Sequence, residues 1–227
     1  MTAPPTPMLV VNRHATLVLT CLLFSCVVFA EPQYQRLNTA LVCIDVMMTD
    51  HLSGPAFSAM RNEAARIWRR HGIVLSWSPP SLTACDVVVP LTFDAERLRL
   101  AAGVSDANAL ALTVFYGRSR VVYVSLPRVF QLLARLRQIA SLSDVGERDY
   151  RGGTLIGRVV AHELGHVLLL TTSHSQQGLM RPVFGLRDVR LVDDGTTELS
   201  SRESALLAMR FSVVPVDSPQ ASAVAVR

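Results

Sequence analysis

The chain has 227 residues, 50% hydrophobic and 18% charged, with a formal net charge of +4. That length suits one domain with a sizeable core, and the hydrophobic content excludes a disordered chain. All the basic residues are arginine, with no aromatic interleaving and no nucleic-acid motif, so no nucleic-acid partner is expected.

Ala15 to Ala30 is an almost unbroken apolar run preceded by Arg13, and Val28-Phe29-Ala30 offers the residues that a signal peptidase reads. Residues 1–30 are therefore expected to be a secretory signal peptide cleaved after Ala30, giving a secreted or periplasmic protein. An uncleaved anchor is the alternative, although the run is short for about 30 Å of hydrocarbon. Any membrane contact is expected through this segment alone. Its removal leaves Cys43 and Cys85, which either bridge across neighbouring strands or sit as two buried thiols; the sequence does not choose.

The mature chain then alternates. Leu41 to Met48 reads as a strand, Pro55 to His71 as a helix ended by Gly72, Ile73 to Trp77 as a strand stopped by Pro79-Pro80, and Cys85 to Phe93 as a third strand. Arg66, Arg69 and Arg70 are spaced like a solvated helix face. Ala111 to Tyr116 and Arg120 to Leu126 flank Gly117-Arg118-Ser119 as a hairpin. Pro127 to Leu142 reads as a helix with Val129, Leu132, Leu133, Leu136 and Ile139 as its apolar stripe. A polar stretch, Ser143 to Gly153, leads into a helix from Thr154 to Leu170. Val160, Leu164, Val167, Leu168 and Thr171 form its apolar stripe, and Val159, His162, Glu163 and His166 share the opposite face. Ser200-Ser201-Arg202-Glu203 is a capping-box pattern ahead of an apolar helical run, and residues 212–227 are expected to be a flexible tail.

The chemistry concentrates in the penultimate helix. Three of the six histidines are His162, His166 and His174. Helix residues four apart lie nearly one above the other, so His162 and His166 can reach one tetrahedral ion. Glu163, one position off that row, is placed to hold a water and accept its proton. This is the H-E-x-x-H pattern of zinc-dependent hydrolysis. Catalytic zinc takes three protein ligands and a water, and His174 is the nearest third candidate; it could also be a solvated loop histidine. Glu198 or Glu203 could be offered instead, but the capping box already gives Glu203 a role, and Glu198, Asp193 and Asp194 lie in a polar turn around Gly195.

The run HELGHVLLLTTSHSQQGLMRP, residues 162–182, resembles the metzincin metallopeptidases, most nearly the matrixin branch. The resemblance implies His162, His166 and His174 as zinc ligands, Glu163 as general base and Met180 as an apolar floor beneath the metal. It also implies an α/β (α+β) domain over residues 31–211, with a twisted mixed sheet, an antiparallel edge hairpin, helices including that of the motif, and a small C-terminal subdomain. Ala111 to Tyr116 would be the edge strand that pairs with an extended substrate, or else an ordinary sheet edge. The third histidine follows the first by twelve positions where the family has ten, and Leu169 stands where the family has a turn glycine, so the helix is expected to run about half a turn further. A glutamate third ligand would instead give the gluzincin type. The activity expected is secreted, zinc-dependent hydrolysis of peptide or protein substrates; an exported binding protein on a peptidase-like fold is the competing class. Tyr116, Tyr150 and Arg181 are candidates for polarising the carbonyl, none of them assigned. Ser143 to Gly153 and Pro182 to Thr197 are the expected specificity loops.

Overall fold

A computed structural model of the chain describes residues 39–47, 52–79, 81–102, 109–140, 145–185, 188 and 197–212. The expected signal peptide, and all of the expected tail except Ser212, lie outside the described residues. In chain order the elements are β1 (Ala40–Met47), α1 (Gly54–Arg69), β2 (Ile73–Ser76), a 3-10 turn (Leu82–Ala84), β3 (Val87–Thr92), α2 (Ala95–Ala102), β4 (Ala111–Tyr116), β5 (Ser119–Val124), α3 (Leu126–Ala140), α4 (Val145–Leu169) and α5 (Ser201–Phe211).

These make a mixed α/β architecture around one five-stranded sheet of order β2-β1-β3-β5-β4. Four strands run parallel; β4 alone is antiparallel, to β5, and ends the sheet. The turn between β4 and β5 is two residues, Gly117-Arg118, and Gly117 takes φ 59°, which costs a glycine nothing. Among the described residues no helix is long and apolar enough to cross a membrane.

Alternation along the strands builds the core. Val42 and Ile44 of β1, Val89 and Leu91 of β3, and Val122 and Val124 of β5 are fully buried and share one cluster with Met60, Ile67 and Trp68 of α1 and Leu155, Ile156, Val160 and Leu164 of α4. Cys43 takes the alternate position in β1 and is bonded to Cys85, with 5.8 Å between the Cα atoms. Of the two readings left open by the sequence, the bridge is the one formed.

Helix α4 departs from expectation. It begins at Val145, so the supposed loop Ser143 to Gly153 is helical from Val145 onward, and Gly152 and Gly153 lie inside the helix rather than ahead of it. The reason is packing against α1. A Cβ on Gly153 would overlap the carbonyl oxygen of Ala56, and one on Gly157 would come within 2.6 Å of that of Met60. The glycines weaken α4 as an isolated helix and let the two backbones approach. Every residue from Gly152 to Leu168 is buried, so α4 is a central helix and not an amphipathic one. Thr171, expected on the apolar stripe, lies beyond the helix end.

Of the three arginines expected on a solvated face, Arg69 is exposed, while Arg66 and Arg70 are half-buried and paired. Arg66 Nε lies 2.7 Å from Glu63, and Arg70 reaches Glu198 at 2.7 Å. Glu63 also accepts from Arg158 Nε at 2.8 Å, and Arg158, 2% exposed, donates to the Asp188 carbonyl at 3.0 Å. The Asp188 carboxylate in turn pairs with Arg181. A chain of charges thus crosses from α1 through α4 to the loop after Met180. Burial alone would raise the Glu63 pKa, but hydrogen bonds and charge from Arg66 and Arg158 outweigh it and hold the carboxyl below its ordinary value.

Glu63→Gln is expected to cost about 3 kcal/mol in urea unfolding at neutral pH, because it leaves Arg158 buried beside an uncharged partner. Since the folded pKa lies below the unfolded value of 4.5, the Glu63 contribution is present above that value and is lost as pH falls through the lower folded one. The wild-type stability curve should therefore drop more steeply in acid than that of the Gln variant.

Candidate metal centre

His162, Glu163 and His166 lie in the last two turns of α4, and the loop that follows carries His174 back to them. The reversal occurs at Leu170, which takes φ 52°, and the Thr171 amide donates to the His166 carbonyl at 3.2 Å. That is a Schellman-type helix end with leucine in the left-handed position usually given to glycine. Arg210 of α5 donates to the carbonyls of Val167 and Leu168 at 2.9 and 2.6 Å, satisfying groups that the helix end leaves open. The chain between His166 and His174 is spanned in this way, by a helix that ends at Leu169 and reverses at Leu170.

The three histidines form one cluster, whose ligand atoms all lie within 4.8 Å of one another. They are close enough to bind a metal ion. His162 and His166 are buried at 4% and 6% exposure, and His174 is exposed, its ring stacked on His162 at 5.2 Å and edge-on to His166 at 4.9 Å. A tetrahedral ion with bonds of about 2.0 Å spaces its ligand atoms about 3.3 Å apart. The two buried Nε2 atoms stand 3.1 Å apart, near that spacing already, and the exposed ring has the freedom to close the remainder.

Hydrogen bonding fixes what those Nε2 atoms present. His162 Nδ1 is 2.8 Å from the Leu179 carbonyl oxygen, and His166 Nδ1 is 2.8 Å from that of Thr171. A carbonyl oxygen only accepts, so each Nδ1 carries the proton of its neutral ring. Burial pushes His162 down to about 3 and lowers His166 as well, so neither ring holds a second proton near neutrality. Two lone pairs therefore face each other at 3.1 Å, an arrangement that repels by itself and that a cation between them relieves.

In the same turn of α4 as His166, a Cβ on Gly165 would overlap Sδ of Met180, a residue with no exposure, and would sit 3.7 Å from Trp68. The glycine of the motif thus makes room for the Met180 side chain. The turn holding Met180 is closed by the Ser175 amide, which donates to the Met180 carbonyl at 2.8 Å, and by the Leu179 amide, which donates to the Glu198 carbonyl at 2.7 Å. Ser175 also hydrogen-bonds the Glu203 carboxylate, whose other oxygen accepts from the Ser200 amide at 2.7 Å in the capping box. Both glutamates considered as third ligands are engaged elsewhere, Glu198 with Arg70 and Glu203 in this cap.

Glu163 is 6% exposed, and the Thr113 hydroxyl lies 2.8 Å from its Oε2. Burial pushes its pKa up to about 7, with the Thr113 bond opposing. Thr113 belongs to β4, and Ala111, Leu112, Thr113 and Phe115 of that strand line a cleft of about 590 Å³ together with the three histidines and Glu163. Pro182, Val183 and Phe184 also line it, the last edge-on to His162 at 5.5 Å. Most of the second expected specificity loop, residues 186–187 and 189–196, lies outside the described residues. Tyr116, Tyr150 and Arg181 are not among the lining residues; Arg181 is held by the Gly178 and Val183 carbonyls at 2.8 and 3.1 Å as well as by Asp188.

Sequence reading missed Thr113, a lone threonine in an apolar strand that carries no local signal. It also passed over Arg158, although a charged residue one turn before His162 on the same helix row was a visible cue. No protein-family model matches the chain, and no curated protein matches its sequence.

Gly165→Ala is expected to cost about 2 kcal/mol by overpacking against Met180 and to weaken metal binding. In a double-mutant cycle read by denaturant unfolding, Gly165→Ala with Met180→Ala should be less destabilised than the sum of the singles, because the second change removes the clash.

Proposed function

We propose that the chain is an exported zinc-dependent endopeptidase of metzincin-like type, with His162, His166 and His174 holding the ion and Glu163 as general base. The observation that carries this reading is the facing pair of Nε2 lone pairs, 3.1 Å apart, beside a buried carboxylate. Neutral imidazoles oriented by carbonyls suit zinc, and the exposed third ring leaves one side of the cluster open to the cleft. When bound, zinc lowers the pKa of a coordinated water and polarises a carbonyl.

The remaining steps belong to the chain. Glu163 accepts a proton at its carboxylate and returns it to the leaving amine. The Thr113 hydroxyl, bonded to Oε2, holds that carboxylate in one rotamer and so fixes which oxygen is free to take the proton. Strand β4 has a further role. The Ser125 amide donates to the Leu110 carbonyl at 2.8 Å, which makes Leu110 and the alternate residues after it the hydrogen-bonded partners of β5. The main-chain groups of Ala111, Thr113 and Phe115 then point away from β5, along the outer edge of the sheet. An extended peptide adding there as a further strand would be held by its backbone and carried past Glu163. Residues beyond Met180, with Pro182 to Phe184 at the cleft, would be the small C-terminal subdomain.

Export rests on the apolar segment before Ala30, and the Cys43–Cys85 bridge fits an oxidising compartment. The gluzincin arrangement is set aside because neither Glu198 nor Glu203 joins the histidines. A non-catalytic exported binding protein has no use for the Glu163 carboxylate, so that residue separates the two classes. Glu163→Gln should retain one zinc per chain and lose at least about 100-fold in peptide cleavage. Thr113→Ala should lower kcat about tenfold with KM little changed, and Thr113→Ser should recover most of it. A wild-type chain without stoichiometric zinc, or a Glu163→Gln variant that cleaves normally, would sink the proposal.

A further inference from the structure

Helix α3 contributes one side of the cleft through Arg128, Gln131, Leu132 and Arg135, positions i, i+3, i+4 and i+7 of a single helix face. Arg128 is anchored by donation from Nη1 to the Ala109 carbonyl at 2.8 Å, which leaves most of its donors for another acceptor. Among the described residues no carboxylate pairs with Arg128 or Arg135. Among the described residues the one acidic side chain lining the cleft is Glu163, buried and bonded to Thr113. The rest of the described lining is mixed, apolar at Leu110, Phe115 and Val183 and polar at the three histidines and Thr172. With the Glu163 carboxylate engaged by Thr113, Arg128 and Arg135 are the charged groups of the described lining left with open donors, and their field acts on whatever enters.

We infer that Arg128 and Arg135 make this cleft selective for peptides carrying a carboxylate, from an acidic side chain or from a free C-terminus. The inference rests on the peptidase reading only in placing a peptide in the cleft. Seven helix residues separate the two guanidinium-bearing positions by about 10 Å along α3, the reach of about three residues of extended peptide. A carboxylate at either position meets an arginine with unused donors in a planar fork suited to it. A lysine side chain would meet like charge.

The test separates the two readings by measuring binding and cleavage independently. Fluorescence anisotropy on the Glu163→Gln chain would compare C-terminally amidated peptides that differ only as Glu, Gln or Lys at one central position, and neutral peptides ending in a free acid or an amide. The expected result is about fivefold tighter binding of a carboxylate peptide than of its neutral match, shrinking as salt rises from about 0.05 to about 0.5 M. Preference for central Glu identifies the side-chain source; preference for the free acid identifies the terminal one. Arg128→Gln with Arg135→Gln should remove the preference. The exposed Arg135→Glu alone, which leaves the Ala109 contact intact, should weaken it and improve the Lys peptide. Equal binding of all peptides, or no binding of any, overturns the inference. Cleavage of the same peptides by the zinc-loaded wild type reports on the peptidase reading separately, since cleavage without carboxylate preference leaves that reading standing and preference without cleavage does the reverse.

Discussion

The burial of α4 on every side is the constraint from which the site follows. A helix covered from Gly152 to Leu168 has no water to satisfy its polar side chains, and each one left unpaired would cost about 1–3 kcal/mol. The structure supplies partners one by one: Glu63 and the Asp188 carbonyl for Arg158, Leu179 for His162, Thr171 for His166, Thr113 for Glu163. The groups without a conventional partner are the two Nε2 atoms, which have only each other and the exposed ring of His174. Structural necessity has thus oriented both imidazoles, and the same bonds that make burial tolerable leave their lone pairs converging on one point.

That burial depends on small residues at the crossing of α1 and α4. Gly153 and Gly157 bring the backbones together, Trp68 of α1 donates its indole N–H to the Ala161 carbonyl at 3.2 Å, and Gly165 leaves room for Met180. The loop after α4 is fixed at several points, by Arg210 on the helix end, Glu203 on Ser175 and Arg181 within the turn. The third histidine therefore rides on a held loop despite its exposure. Leu170 in the left-handed region is a local strain of the order of 1 kcal/mol that these anchors offset.

Much of this was legible in the sequence, because its signals are local. The four-residue spacing of His162 and His166, the glycine at the hairpin turn and the alternating strands each follow from a fixed backbone period. What was not legible depends on partners distant in sequence. Gly152-Gly153 reads as a helix boundary until α1 is laid against it. Arg66 and Arg70 read as solvated until Glu63 and Glu198 are brought to them, and Cys43 and Cys85 gave even odds until β1 and β3 became neighbours. Thr113 acquires meaning only when β4 crosses the end of α4, 50 residues away in the chain.

The proposed site stands or falls on whether three imidazoles hold one zinc ion. Zinc K-edge X-ray absorption on the zinc-loaded chain tests it most directly, since it reports the ligand atoms themselves. The account predicts one zinc per chain with about three imidazole nitrogens and one oxygen at about 2.0–2.1 Å, reduced to two imidazoles in His174→Ala. A first shell of carboxylate oxygens or sulfur, or a spectrum unchanged by loss of His174, would contradict it.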